Sequence, residues 1–175
     1  MVLSRASVLG VALMLSAAPV SAADPAPQPL PHLATGTPAP DFTVERLVGG
    51  SLQLSSLRGR VVVIDFWATW CPPCRAELPW LLKLARSNEA RGLFFIAMNQ
   101  DEGAQRALAA SFASELSGID RFIALGGPVV GAPFHVDGLP TLYVIDRQGR
   151  VFASAEGRLT EAAVAGVIEQ ALAQP

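Results

Sequence analysis

Cys71 and Cys74 are the only cysteines in 175 residues, and they stand three positions apart in Trp-Ala-Thr-Trp-Cys-Pro-Pro-Cys, residues 67–74. An apolar run from Val61 to Phe66 leads into them, and a helix-forming segment follows. That order puts both thiols in the first turn of a helix, at the carboxyl end of a buried strand. Residues i and i+3 of a helix lie about 5–6 Å apart, and a disulfide needs Cα atoms about 4.4–6.8 Å apart. The pair can therefore open and close a bond with little backbone movement. A helix N-terminus carries unpaired N–H donors and roughly half a positive charge, and both stabilise a thiolate. A cysteine placed there can fall from a pKa of about 8.5 into the range of about 3.5–7.5. Pro72 and Pro73 suit a helix start, where a missing N–H costs nothing. The chemistry implied is thiol–disulfide exchange. Cys71, nearer the helix end and solvent, is expected to attack. Cys74, one turn inward, is expected to resolve the mixed disulfide.

Other uses of the pair fit less well. A structural disulfide would close a very small loop and restrict the unfolded chain little. A metal site would need His32 and His135 as further ligands, and neither has zinc-finger spacing to the cysteines. Both read as ordinary surface histidines, and neither a metal nor a cofactor is expected. Covalent haem attachment would need His directly after the second cysteine, where Arg75 stands. Asp65 is the odd residue in its strand. A carboxylate between Ile64 and Phe66 is costly to bury ionised, so its pKa should rise, which suits a group exchanging a proton with Cys74. The alternative is a solvated Asp near the strand's end. Trp67 is expected mostly in the core, and Trp70 is expected to shape the apolar surface around Cys71.

The elements that must position these groups follow from the pattern. Phe42–Arg46 and Ser51–Leu54 read as a short hairpin around Gly49-Gly50. Val61–Trp67 is apolar on both faces, as in the centre of a parallel sheet. Residues 72–90 read as a helix ending at Gly92, with a kink expected at Pro79. Leu93–Met98 reads as a second buried strand. Gly103–Leu116 reads as a helix with Ala104, Leu108 and Phe112 on one face. Phe122–Leu125 reads as a short strand or a loop. Thr141–Asp146 and Val151–Ser154 form a hairpin around Arg147-Gln148-Gly149. A last helix runs over about 161–173, capped by Thr160, with Val164, Val167, Ile168, Ala171 and Leu172 as its core stripe. The order is α/β, a mixed sheet between helices. The cysteines then lie outside a strand's carboxyl end, where open α/β sheets place their sites.

The ends and the charge bound the context. Arg5, the apolar stretch Ala6–Ala18 and the small residues Val20-Ser21-Ala22 read as a secretory signal peptide over residues 1–22. The alternative is an uncleaved membrane anchor, but the run is shorter than the ~20 residues that span a bilayer. Residues 23–37 read as a Pro-rich linker, extended and semi-rigid, and residues 38–175 as one domain. With 13 basic and 15 acidic residues, the chain offers no basic footprint for nucleic acid. Export implies an oxidising compartment, the periplasm, where a protein with two adjacent thiols is more often redox-active than scaffolded.

From about Pro38 onward the chain resembles thioredoxin-like proteins, and among them the exported TlpA/ResA-type thiol–disulfide oxidoreductases. The resemblance rests on Asp65-Phe66-Trp67-Ala68, on Trp70-Cys71-Pro72-Pro73-Cys74, on Arg75-Ala76-Glu77-Leu78-Pro79 and on Gly138-Leu139-Pro140-Thr141. It implies the thioredoxin-like three-layer fold, a mixed central sheet flanked by helices with an N-terminal β-hairpin. Members of this branch often carry Asn where Asp65 stands, and Asp there is more like thioredoxin itself. Peroxiredoxins need Thr where Ala68 stands, so peroxidase chemistry is not implied.

The resemblance also implies roles. Glu77 matches an active-site glutamate, although a carboxylate is favoured in a helix's first turns in any case. Pro140 matches a cis-proline beside the cysteines. Leu139 would offer its backbone to an extended substrate segment, with Trp70, Pro72 and Pro73 completing the substrate surface. The activity expected is reduction of disulfides in other exported proteins by a Cys71/Cys74 dithiol–disulfide cycle. A membrane thiol donor would supply the electrons, cytochrome c maturation is a client pathway, and the protein would act as a monomer. The alternatives are a general disulfide oxidant or isomerase, and a non-catalytic binding module.

Overall fold

The structure, a computed structural model, describes residues 33–175 except Ala104, and of Gln105 and Arg106 the backbone alone. The signal segment, most of the linker and His32 lie outside the described residues. The elements are β1 (Thr43–Glu45), β2 (Ser51–Gln53), β3 (Val61–Trp67), α1 (Pro72–Asn88), β4 (Leu93–Asn99), α2 (Gln105–Glu115), β5 (Ile123–Leu125), α3 (Pro128–Gly131), β6 (Thr141–Ile145), β7 (Val151–Glu156) and α4 (Glu161–Leu172). Strands β3 to β7 form one sheet in the order β5-β4-β3-β6-β7, and β1 and β2 form a separate hairpin. Strands β3, β4 and β5 run parallel. Strands β6 and β7 run antiparallel to their neighbours, with Asp65 opposite Leu142. This is the mixed, helix-flanked sheet with an N-terminal hairpin of the thioredoxin-like fold.

All seven residues of β3 are buried, as a central strand covered on both faces requires. Alternation sorts its side chains. Val61, Val63 and Trp67 join a core with Leu78, Leu81 and Leu82 of α1, Phe112 of α2, and Val164 and Ile168 of α4. Val62, Ile64 and Phe66 join a second core with Val44, Leu52, Leu57, Phe134 and Tyr143. Three helices therefore cover one face. The hairpin and the short segment around α3 cover the other. Helix α1 runs unbroken through Pro79, and Gly92 (φ 95°) takes the left-handed turn into β4.

The structure departs from the sequence expectation in three places. Residues 34–37, the end of the expected linker, are docked rather than a tether, and the docking continues through Pro38 and Ala39. The N–H of Gly36 donates to Val151 O at 2.8 Å, that of Val151 to Thr37 O at 2.8 Å, and that of Ala39 to Gly149 O at 3.0 Å. Pro38 and Pro40 fall at positions where no N–H is needed. In α2 the buried residues are Ala109, Phe112 and Ala113, whereas Leu108 is 53% exposed. The helix is rich in alanine, so several faces offer an apolar stripe and the sequence does not choose among them. Finally, α3 occupies a stretch for which no helix was expected, whereas the stretch left open as strand or loop carries β5 at Ile123–Leu125.

Candidate active site

Cys71 is the N-cap of α1, with Pro72 and Pro73 in the first turn. Its Sγ accepts the N–H of Cys74 at 3.3 Å, as the oxygen of a capping serine would. A first-turn N–H of the helix is thus aimed at the sulfur that would carry a thiolate. The two cysteines form a disulfide with Cα atoms 5.4 Å apart. Cys74 is fully buried and Cys71 nearly so, at 3% exposure. Cys71 is the nearer of the two to solvent, though by a small margin. Trp70 stands beside it at 61% exposure, while Trp67 is in the core, as expected. Pro72 is exposed and Pro73 half-buried.

Asp65 projects from β3 on the same face as Val63 and Trp67, beneath α1. It is completely buried, and neither carboxylate oxygen has a hydrogen-bond partner. Burial, aided by the negative charge of Glu77, pushes its pKa well above the ordinary carboxylate range. Glu77 is buried on the inner face of α1. Its Oε1 accepts the N–H of Leu159 at 3.0 Å, and its Oε2 has no partner. Burial raises its pKa, opposed by the Leu159 N–H and by the positive charge of Arg158. The site therefore holds two buried carboxyls, Asp65 with both oxygens unbonded and Glu77 with one.

The Leu139–Pro140 bond is cis. Extending the β3–β6 register by one residue, from Phe66 opposite Thr141, places Pro140 beside Trp67 at the same end of the sheet. Leu139 and Trp70 both line a groove of about 400 Å³ whose walls also include Pro128, Ala132, Val136 and Asp137. A second groove, about 360 Å³, lies on the other flank of Trp70 against Arg75, Leu108 and Phe112. His135 is exposed in the loop before the first groove and has a left-handed backbone, φ 54°. Among the described residues no cluster of His, Cys, Asp or Glu could hold a metal ion.

One group near the site was not anticipated from the sequence. Asp101 is 2% exposed just beyond β4. It accepts the N–H of Thr69 at 3.1 Å and Nδ2 of Asn99 at 2.9 Å, and its own N–H donates to Asn99 Oδ1 at 3.2 Å. The backbone just before Trp70 and Cys71 is thereby tied to the end of the neighbouring strand. The only sequence signal is the polar run Asn99-Gln100-Asp101, which reads equally well as the solvated end of a strand.

Comparison with known proteins agrees with this geometry. A family model described as Redoxin matches residues 34–171. The thiol-disulfide oxidoreductase ResA of Bacillus thuringiensis (strain Al Hakam) is 31% identical over 137 residues, 77% of each chain. ResA of Geobacillus kaustophilus is 33% identical over 131 residues, covering 74% of this chain and 73% of that one. Among solved structures, a thiol:disulfide interchange protein of the thioredoxin family from Chlorobium tepidum superimposes with a TM-score of 0.69 at 30% identity, over 79% of this chain and 98% of that one.

Proposed function

The chain belongs to the Redoxin family and is a thiol–disulfide oxidoreductase of the TlpA/ResA type, and from that premise we propose that it reduces disulfides in other exported proteins. The observation that carries this is the Cys71–Cys74 pair at the N-terminus of α1, preceded by exposed Trp70, which lines a groove with Leu139. In the reduced protein, the Cys71 thiolate attacks one sulfur of a substrate disulfide. That S–S bond breaks, a mixed disulfide forms, and the other substrate sulfur leaves as a thiolate. Cys74 then loses its proton and attacks Cys71 Sγ. The second substrate sulfur is released, and two electrons have passed from the enzyme dithiol to the substrate. Burial makes the Asp65 carboxylate a stronger base than an exposed Asp, which fits it to take the Cys74 proton. Glu77 tunes Asp65 through its charge. Trp70, Pro72, Pro73, Leu139 and Pro140 form the face on which the substrate lies.

Val20-Ser21-Ala22 supports cleavage and release into the periplasm, and no helix among the described residues is long and apolar enough to cross a membrane. A membrane thiol donor would re-reduce the protein, and cytochrome c maturation is the client pathway that the resemblance favours. Two experiments test this. In Cys74→Ala, mixed disulfides should accumulate on Cys71 and be trapped by gel and mass spectrometry, while Cys71→Ala should trap none. Trapping on Cys74 instead would reverse the assignment. The reduction potential of the pair decides direction: a value as oxidising as that of dedicated oxidants, about −120 mV, would make the protein an oxidant instead.

A further inference from the structure

The groove between Trp70 and Leu139 contains one charged residue, Asp137; the rest of its wall is apolar apart from Gln100 and the backbone of Gly138. Asp137 is exposed, and no Lys, Arg or His lies within ion-pair distance of it among the described residues. The neighbouring carboxylate of Glu156 packs against Gly138, where a Cβ would collide with it, and it too is in no ion pair. On the opposite flank of Trp70 the charges are balanced, with Arg75 Nη2 3.3 Å from Glu115 Oε2. The two grooves that share Trp70, the residue before Cys71, thus differ in kind. One is internally neutralised. The other presents uncompensated negative charge on an apolar wall.

A groove of that composition discriminates by charge. Next to an apolar contact a lone carboxylate attracts a basic side chain and repels an acidic one, and the repulsion sharpens selection as much as the attraction does. We propose that Asp137 is a specificity-determining residue, selecting extended polypeptide substrates that carry Lys or Arg beside the reacting cysteine and an apolar residue against Trp70. The proposal rests on the oxidoreductase reading and adds to it the chemical class of the segment presented to Cys71. Asp137 takes no part in the exchange itself.

The test uses the reduced protein and two short disulfide-bridged peptides, identical except for Lys or Glu beside the attacked cysteine. The readout is the ratio of their reduction rates, which cancels any change in the intrinsic reactivity of Cys71. At low salt the wild-type ratio should favour the Lys peptide by about two- to five-fold, the range that an exposed ion pair supports. It should approach one in 1 M salt, where the Debye length is about 3 Å. Asp137→Asn should bring the low-salt ratio close to one, and Asp137→Lys should invert it. A wild-type ratio near one at low salt, or a ratio that survives Asp137→Lys, overturns the subsite. If wild type reduces 2-hydroxyethyl disulfide and both peptides alike, only the role of Asp137 falls. If it reduces none of the three, the oxidoreductase reading falls as well.

Discussion

Two buried carboxylates lie near the carboxyl ends of adjacent strands, and they are treated in opposite ways. Asp101, just past β4, receives the N–H of Thr69 and the amide of Asn99. Asp65, in β3, receives nothing. Both are essentially inaccessible to solvent. A buried polar group without partners is expensive, and native structures keep few of them. Asp101 therefore has the signature of a structural clamp, while Asp65, which nothing bonds, is the carboxyl we propose as acceptor of the Cys74 proton. Glu77 lies between these cases, with one oxygen bonded to the Leu159 N–H and the other free. Burial alone does not make a carboxylate reactive; burial without donors does, because nothing then favours the ionised form.

The contrast breaks most visibly if Asp101 is removed. Asp101→Ala should leave the Thr69 N–H and the Asn99 amide without their partner. At about 1–3 kcal/mol for each group left unsatisfied, the loss should be roughly 2–6 kcal/mol, read as a lower urea midpoint at unchanged m-value. A neutral Asp101→Ala would mean that the loop before Cys71 holds its own conformation.

Asp65→Asn should act in the opposite direction on stability. The folded pKa of Asp65 is raised, so its protonated form contributes stability that is complete below the unfolded value of about 3.9 and is lost as pH rises through the folded pKa. Asn does not titrate, so Asp65→Asn should become progressively more stable than wild type as pH rises. By pH 8 the gain should be on the order of 1–3 kcal/mol. The same change should slow resolution of the mixed disulfide by about 10²-fold, the lower end of what a positioned acid–base group supplies. Stability gained together with rate lost is the outcome that separates Asp65 from Asp101. Loss of both would place the two carboxylates in one class.

The sequence exposed one side of this contrast and hid the other. Asp65 stands out because a charge inside Val-Val-Val-Ile-Asp-Phe-Trp has no local excuse, and strand periodicity already implies burial. Cys71 and Cys74 stand out because their spacing coincides with a strand-to-helix junction. Asp101 does not stand out, because Asn99-Gln100-Asp101 looks like any polar strand end, and its backbone donor comes from Thr69, 32 residues earlier in the chain. The exposure of Leu108 was hidden for a related reason. Alanine fills so much of α2 that periodicity leaves its inner face open, and packing of Phe112 against Trp67, with ring centroids 5.0 Å apart, decides it. Residues 34–37 read as a tether from the proline content around them, whereas the N–H of Gly36 and the C=O of Thr37 both pair with Val151, more than a hundred residues later. Local chemistry was legible wherever a residue violated its own element. It was not legible where long-range contacts supplied the environment.

The smallest effect should come from Glu77, and it sharpens the comparison most finely. Glu77→Gln keeps an oxygen that can accept the Leu159 N–H, so the start of α4 should remain anchored and stability should change little. The negative charge beside Asp65 is lost, however. That charge is one of the two causes raising the pKa of Asp65, burial being the larger, so the Asp65 pKa should fall in the variant but stay above that of an exposed Asp. The limb of the pH–rate profile that reports Asp65 should move to lower pH, and the maximal rate should fall only a few-fold, because a weaker base is still a base in the right place. Glu77→Ala separates the two contributions of this side chain: it removes the same charge and also the acceptor for Leu159 N–H, so it should shift the profile equally and additionally lower stability by about 1 kcal/mol. A profile that does not move in either variant would uncouple Glu77 from Asp65. Glu77 would then be a second structural carboxylate like Asp101, with its unbonded oxygen unexplained.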